Sequence, residues 1–263
     1  MVAKNIGGGR VLRLTPFSAM RVLVVIPAFN EEAALGRLLG ELAAARSTSE
    51  HELSLLVVDD GSSDATRRIA REGGARVLRL CANLGIGGAV QSGLHVAHRE
   101  GFDCAVQLDG DGQHPPSELP GLLAVMRGAE APDLLVGSRF LSGETSEKNF
   151  HSTFIRRVGI GWLRLVLRVV AQMKVSDPTS GFRVYGRRAL ALFDETYPYD
   201  FPEPEALAIA AAVGLSHREV PVRMRERQGG QSSIGPFDAV YYMVKVTVAV
   251  LLAYVRNVGR AVT

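Results

Sequence analysis

Two aspartates, one residue apart at the end of an apolar stretch, are the strongest chemical signal in this 263-residue sequence. Asp109 and Asp111 follow the stretch from Cys104 to Leu108, and Gln113 comes two residues later. Like charges this close repel each other, so we expect a cation beside them. Carboxylate and amide oxygens suit Mg²⁺ or Mn²⁺, which can share its coordination with substrate phosphates. The three residues are therefore candidate metal ligands, and a solvated acidic turn is the alternative interpretation.

Two further polar clusters also follow apolar stretches that resemble buried strands. One runs from Pro27 to Glu31, and the other is Asp59-Asp60. Near-continuous apolar strands separated by helices are typical of a parallel sheet that is covered on both faces. In such sheets, ligands bind beyond the carboxyl ends of the strands. We therefore expect all three clusters to lie on one edge of one sheet.

The elements that must position these residues alternate regularly in the front half of the chain. Apolar stretches predict strands at 21–27, 53–59, 75–80, 104–108 and 134–136. The stretches between and after them predict helices at 31–45, 63–73, 87–99 and 116–127. In the back half we predict helices at 154–170, 203–213 and 237–255, a strand at 215–222, and a turn at 177–183 that leads into a short extended stretch. The predicted fold class is α/β, with a mostly parallel sheet.

Charge is distributed unevenly around the small net value of +3. From Phe150 onward there are 15 Lys and Arg against 9 Asp and Glu, whereas the first 149 residues hold 15 against 18. Two cysteines without a CxxC spacing and six scattered histidines give little support to a zinc site. The arginines are interleaved with aliphatic runs and form no known nucleic-acid-binding motif, so we do not expect a nucleic-acid partner.

Two apolar helices of the back half carry cations. The helix at 154–170 has arginines at 156, 157, 164 and 168, which leave an arginine-bearing side and a broad apolar side. Arg164 and Arg168 are interpreted as a solvated face or as contacts to lipid headgroups. The segment 237–255 contains Lys245 near its middle, which would be costly at the centre of a bilayer. We expect a helix on the membrane surface that can pack against a membrane protein or a second copy of the chain. A core helix and a marginal membrane span are the alternatives.

Six motifs, spread in unbroken order from about Arg21 to Ile234, resemble those of one enzyme family. They are PAFNEE, VVDDGSSD, NLG, LDGDGQHPP, GSRF and DPTSGFR. The sequence resembles the family-2 glycosyltransferases of GT-A (Rossmann-like) fold. Within that family it is most similar to the dolichyl- and polyprenyl-phosphate hexose synthase branch.

The resemblance implies a role for each matching residue. The nucleotide-sugar site would comprise Pro27, Phe29, Glu31, Asp60, Asp109, Arg225 and Arg227. The metal, Mg²⁺ or Mn²⁺, would be held by Asp109, Asp111 and Gln113. The acceptor phosphate would be bound by Arg139 with Arg156 or Arg157, and Asp111 and Arg139 would be catalytic. Two departures from the family pattern, Ile86 and the step Gln228-Gly229, affect the phosphate contacts.

These roles together predict a hexosyltransferase that inverts the configuration at the anomeric carbon. The donor would be a nucleoside-diphosphate sugar, and the acceptor a polyprenyl phosphate at the cytoplasmic face of the membrane. Alternatively, a sugar hydroxyl of a cell-envelope glycan or glycolipid is the acceptor, with Glu203 or Glu205 as catalytic base. A non-catalytic partner that binds sugar nucleotides at a membrane is the third hypothesis. The predicted organisation is a flexible leader at 1–20, a glycosyltransferase domain at 21–235 and a membrane-surface helix at 236–263.

Overall fold

The computed structural model describes residues 19–141, 154–225 and 238–260, with side chains from 157 and 243 onward in the last two ranges. Seven strands lie within them: β1 (Arg21–Ala28), β2 (Glu52–Asp59), β3 (Arg76–Arg79), β4 (Cys104–Gln107), β5 (Leu134–Ser138), β6 (Arg183–Gly186) and β7 (His217–Pro221). The described helices are α1 (Glu32–Thr48), α2 (Thr66–Glu72), α3 (Gly85–Arg99), α4 (Leu119–Arg127), α5 (Phe154–Val170), α6 (Arg187–Glu195), α7 (Pro202–Ala212) and α8 (Asp238–Asn257). The predicted leader lies outside the described residues except for Ala19 and Met20.

The seven strands form one mixed sheet in the order β3-β2-β1-β4-β6-β5-β7. Neighbours on the β3-to-β4 side are parallel, and β5 is parallel to β7. β6 is antiparallel to both of its neighbours, β4 and β5. The mostly parallel α/β fold predicted from the sequence is therefore confirmed, with one antiparallel strand in its middle.

Apolar side chains fill both faces of the sheet, as expected for strands without polar alternation. Leucines of α1 and α4 cover one face, and this layer includes Leu35, Leu39 and Leu122. Helices α3, α5, α6, α7 and α8 cover the other face. Val246 and Val250 of α8 belong to that second layer, so the last helix shares the core of the sheet domain.

The local sequence did not predict α6, whose nine residues RRALALFDE were left unassigned. Only a few of its side chains are apolar and buried, among them Ala189, Leu190 and Phe193, whereas the two leading arginines are exposed. That apolar pattern is short, and the helix becomes stable only where it packs on α3 and the sheet. Among the described helices, none is long and apolar enough to cross a membrane.

Candidate functional site

The loop that follows β4 carries Asp109 and Asp111 and packs tightly on the end of β1. The Gly110 amide donates a hydrogen bond to the Pro27 carbonyl at 3.2 Å. A Cβ at Gly110 would lie 3.1 Å from that same oxygen, so a larger residue would push the loop away. The Asp109 side chain keeps 31% of its surface exposed, whereas Asp111 is buried. Gln113 follows in a turn in which its amide donates to Asp111 Oδ1 at 3.0 Å.

The acid loop suits a divalent cation in its donor chemistry and in the space beside it. A Cβ on Gly181 would lie 3.0 Å from Asp109 Oδ2 and 3.2 Å from Gln107 Nε2, so glycine leaves room at the carboxylate. Within the described ranges, no three His, Cys, Asp or Glu residues group as a metal site. A cation held by Asp109 and Asp111 therefore needs further oxygens, from the Gln113 amide or from phosphate.

The clusters after β1 and β2 meet at the same edge, as the sequence predicted. Ala28 pairs with Asp59 in the parallel register, and the Asp60 amide donates to the Ala28 carbonyl at 2.9 Å. Asn30, at φ 55°, accepts a hydrogen bond from the Ser63 amide at 2.9 Å. Such contacts hold the two loops together as one wall of the site.

The predicted nucleotide-pocket residues differ in how accessible they are. Pro27 is buried in β1, Glu31 is half-buried, and Phe29 is 47% exposed. Asp60 is buried, and its Oδ1 accepts a hydrogen bond from the Leu84 amide at 2.7 Å. The adjacent Asp59 is fully buried, and its Oδ2 has no hydrogen-bond partner among the described residues. Both acids of the predicted Asp59-Asp60 cluster therefore lie buried in this wall.

His114 connects the acid loop to the centre of the sheet, a role that the sequence did not predict. Its Nδ1 accepts a hydrogen bond from the Asp109 amide at 3.1 Å, and its ring stacks on Phe182 at 4.9 Å. Burial lowers the pKa of His114 to about 4, against the opposing effect of nearby Asp111. The imidazole is therefore neutral near pH 7, with its proton on Nε2.

Arg139 lies beside His114 in a buried ion pair with Asp177. Its Nε donates to Asp177 Oδ2 at 2.7 Å, and its Nη2 donates to Oδ1 at 2.6 Å and to Thr179 Oγ1 at 2.8 Å. The Asp177 amide in turn donates to Glu219 Oε1 at 2.9 Å. This arrangement fixes the orientation of the guanidinium group predicted to meet the acceptor phosphate.

The two candidate bases, Glu203 and Glu205, lie in different environments at the start of α7. Burial raises the pKa of Glu203, which nearby Asp109 also raises and Arg183 and Arg139 lower. Glu205 Oε1 instead accepts a hydrogen bond from the Phe201 amide at 3.0 Å and so caps the helix. Of the two, Glu203 belongs to the site.

The predicted arginines are only partly brought to the acids. The Arg225 amide donates to the Gln113 carbonyl at 2.9 Å, but its guanidinium group binds Glu41 of α1 at 2.8 Å and 2.9 Å. Its backbone therefore borders the acid loop while its charge points to α1. Arg157 is exposed on α5. Arg227, the Gln228-Gly229 step and the side chain of Arg156 lie outside the described residues.

A fully buried arginine, Arg183, connects β6 to the start of α7 at the site. It pairs in register with Gln107 of β4, and its Nη2 donates to the Glu203 carbonyl at 2.8 Å. The sequence contained a signal for it and for Asp177, because both stand in DPTSGFR between apolar segments. Neither was assigned a role, since their partners lie 20 and 38 residues away.

The family model for "Glycosyl transferase family 2" matches residues 23–193, which include the acid loop, Arg139 and Asp177. The chain belongs to glycosyltransferase family 2. The enzyme is 34% identical to the undecaprenyl-phosphate mannosyltransferase of Micrococcus luteus over 82% of this chain and 88% of that protein. It is 32% identical to the polyprenol monophosphomannose synthase of Mycolicibacterium smegmatis over 86% and 85% of the two chains.

A solved structure confirms the GT-A fold of this glycosyltransferase. The glucosyl-3-phosphoglycerate synthase of Mycobacterium tuberculosis, crystallised with Mn²⁺, UDP and glucosyl-3-phosphoglycerate, superposes with a TM-score of 0.66. The match covers 89% of this chain and 80% of that chain at 22% identity. The family resemblance and the fold class read from the sequence are both confirmed.

Proposed function

We propose that this glycosyltransferase transfers a hexose from a nucleoside-diphosphate sugar to a polyprenyl phosphate at the membrane surface. The observation that carries the proposal is the meeting of Asp109 and Asp111 with the buried Arg139–Asp177 pair at one sheet edge. His114 contacts the acid loop through the Asp109 amide and lies within the electrostatic influence of Asp111, Arg139 and Asp177. A transfer between two phosphorylated substrates needs such an arrangement of an acid pair and a fixed cation. The names of the two relatives support a polyprenyl-phosphate acceptor.

Asp109, Asp111 and Gln113 would hold Mg²⁺ or Mn²⁺, which neutralises charge on the departing nucleoside diphosphate. The loops after β1 and β2 supply the remaining donor contacts, with Phe29 exposed for stacking on a base and Asp59 and Asp60 buried beside it. The tight packing of Gly110 on Pro27 fixes the position of Asp109 and Asp111 relative to the end of β1. Pre-organised charge of this kind lowers the barrier because it needs no rearrangement during reaction.

On the acceptor side, Arg139 is held in place before any substrate arrives. An acceptor phosphate oxygen would bond to the anomeric carbon while that carbon's bond to the donor phosphate oxygen breaks, which inverts the centre. The acceptor is already an anion, so the step releases no hydroxyl proton and needs no base. Arg157, exposed on α5, is the second cation that we assign to the acceptor phosphate.

Membrane contact is proposed through the outward faces of α5 and α8. Exposed apolar residues recur at one-face spacing on both helices: Val158, Trp162, Leu165 and Val169 on α5, and Val244, Val248, Leu251 and Val255 on α8. Trp162 Nε1 donates to Thr247 Oγ1 at 2.8 Å and joins the two helices. Apolar faces of this kind lie in the headgroup region of a bilayer without crossing it. The proposed location is peripheral, on the cytoplasmic face.

The test is a transfer assay with the full chain, a panel of labelled nucleoside-diphosphate sugars, Mg²⁺ or Mn²⁺, and a short-chain polyprenyl phosphate. We expect lipid-linked sugar with at least one donor and its loss when EDTA removes the metal. Absence of a lipid-linked product across the whole panel would contradict the proposal.

Glu203 favours one second candidate, transfer to a sugar hydroxyl. The half-buried Glu203 carboxyl, whose pKa is raised by burial and by nearby Asp109, is suited to take a proton from a hydroxyl. That activity would give a labelled glycan or glycolipid in the same assay when sugar acceptors replace the polyprenyl phosphate. Glu205 is the weaker base candidate because its carboxylate caps α7.

A further inference from the structure

We propose that a basic cleft between α5 and the edge strand β7 binds the phosphate headgroup of an anionic phospholipid. The cleft has a volume of about 390 Å³ and is lined by Arg164, Arg168, Met173, Lys174, Val175, Ser176 and Glu219. It lies outside the acid loop, and its cations Arg168 and Lys174 take no part in the transfer described above, although Glu219 of its lining also supports the Arg139–Asp177 pair. The inference rests on the proposed function in one respect, the membrane location of the enzyme.

The cleft carries an excess of positive charge. Arg168 and Lys174 are exposed and Arg164 is half-buried. The single acid, Glu219, is already satisfied, because its carboxylate accepts hydrogen bonds from the Ser176 amide, the Ser176 hydroxyl and the Asp177 amide at 2.7, 3.0 and 2.9 Å. Three cations against one fully engaged carboxylate favour a phosphate over a neutral or cationic ligand.

The rigid wall of the cleft is built by Arg164. Its Nε donates to the Ser176 carbonyl at 2.6 Å, and its guanidinium carbon lies 4.9 Å from the centre of the Phe140 ring. Arg139 lies over the same ring at 5.6 Å. One aromatic ring therefore separates the cleft from the arginine proposed to meet the acceptor phosphate.

The position of the cleft on α5 identifies the source of the phosphate as a lipid. Arg157, Arg164 and Arg168 form one stripe of the helix, and the exposed apolar stripe of Val158, Leu165 and Val169 runs directly beside it. A cationic stripe next to an apolar stripe matches the boundary between headgroups and acyl chains in an anionic leaflet. A headgroup in the cleft would bring the bilayer surface close to Arg139, because only the Phe140 ring lies between Arg164 and Arg139. The polyprenyl phosphate is proposed to bind at Arg139.

The test compares the full wild-type chain with the double variant Arg168→Ala/Lys174→Ala. A matched control, Arg46→Ala/Arg71→Ala, removes two exposed cations from α1 and α2, the opposite layer of the sheet. The probes are vesicles of phosphatidylcholine alone, or with about one third phosphatidylglycerol. Trp162, the only tryptophan in the sequence and 44% exposed, reports insertion by a blue shift of its emission.

We expect the wild type and the control to bind phosphatidylglycerol vesicles with a blue shift of Trp162. The cleft variant should bind them roughly thirtyfold more weakly, as expected for two basic side chains near an anionic surface. Equal binding by the cleft variant and the wild type would overturn the inference, as would an equal loss in the control. Protection from thermal unfolding by inorganic phosphate, without a preference for phosphatidylglycerol, would assign the cleft to a soluble anion and also overturn it.

The failure of this inference is distinguishable from the failure of the proposed function. Transfer to a water-soluble short-chain polyprenyl phosphate, without vesicles, does not require the cleft, so wild type and cleft variant should turn over equally. No turnover by the wild type would contradict the proposed function, whereas normal turnover with unchanged vesicle binding by the cleft variant would contradict only the cleft.

Discussion

Arg139 and Asp177 form a buried bidentate ion pair, with 2.7 Å from Nε to Oδ2 and 2.6 Å from Nη2 to Oδ1. Their side chains keep 6% and 0% of their surfaces exposed. A buried ion pair contributes little net stability compared with apolar residues, but losing one partner is costly because a charge is left unpaired. We therefore interpret Asp177 as a positioning residue that holds the Arg139 guanidinium group in place at the site.

Replacing Asp177 with Asn should destabilise the fold by about 3 kcal/mol or more, because the Arg139 guanidinium would remain buried without its counter-charge. Urea unfolding measures this change in the free energy of unfolding. Glu72→Gln is the matched control, since it breaks the exposed pair with Arg68 and should cost less than about 1 kcal/mol. Equal effects of the two substitutions would contradict a positioning role for Asp177.

Gly181→Ala should impair metal binding while the protein stays folded. The added Cβ would lie 3.0 Å from Asp109 Oδ2 and would displace that carboxylate. We expect at least tenfold weaker binding of Mn²⁺ by calorimetry in the presence of a nucleoside diphosphate. Gly121→Ala is the control, because a Cβ there meets nothing within 4 Å and should stabilise α4 by up to about 1 kcal/mol. Unchanged Mn²⁺ affinity in Gly181→Ala would contradict this account of the glycine.

Glu203→Gln separates the two proposed acceptors. Transfer to a phosphate needs no base, so we expect the variant to keep its rate within about tenfold of the wild type. Loss of nearly all activity, together with loss of the acidic limb of the pH-rate profile, would favour the hydroxyl acceptor. Glu205→Gln serves as the control, because a glutamine oxygen can still accept the hydrogen bond from the Phe201 amide.

Stability should fall in acid partly because of His114. Burial lowers the pKa of its imidazole from 6.5 to about 4 in the folded state. Between these values the unfolded chain binds the proton and the folded chain does not, so stability is lost as the pH falls through this window. The full effect is roughly 3 kcal/mol.

His114→Asn tests this without removing the acceptor for the Asp109 amide, because the asparagine Oδ1 takes the position of the imidazole Nδ1. The variant should show a shallower decline in the free energy of unfolding between pH 6.5 and pH 4, measured by urea titration without metal. The same pH dependence in variant and wild type would mean that His114 does not titrate as its burial requires.

The sequence predicted the front half of the fold well because its signals are local. Each of β1 to β5 was predicted within about two residues, since continuous apolar stretches end at the polar loops after β1, β2 and β4. The shared edge of these loops followed from the rule for parallel sheets and is confirmed by the pairing of Ala28 with Asp59.

Relationships between distant segments were not predictable in the same way. The antiparallel direction of β6 depends on pairing Val184 with Val106 and Leu135, which no local pattern specifies. Arg139 was selected from its motif alone, but its partner Asp177 lies 38 residues away. The aspartate was interpreted as part of a turn. Arg225 was expected to face the donor, and its guanidinium group instead binds Glu41 across 184 residues.

The most direct test of the central claim is nucleoside-diphosphate binding with and without Mn²⁺ for the wild type and Asp111→Asn. The account predicts that Mn²⁺ strengthens binding to the wild type at least tenfold, and that Asp111→Asn abolishes both this effect and transfer. Glu130→Gln, whose side chain is 93% exposed at the opposite edge of the sheet, should behave as the wild type. Binding that is indifferent to Mn²⁺, or an Asp111→Asn enzyme with normal metal response and turnover, would contradict the account.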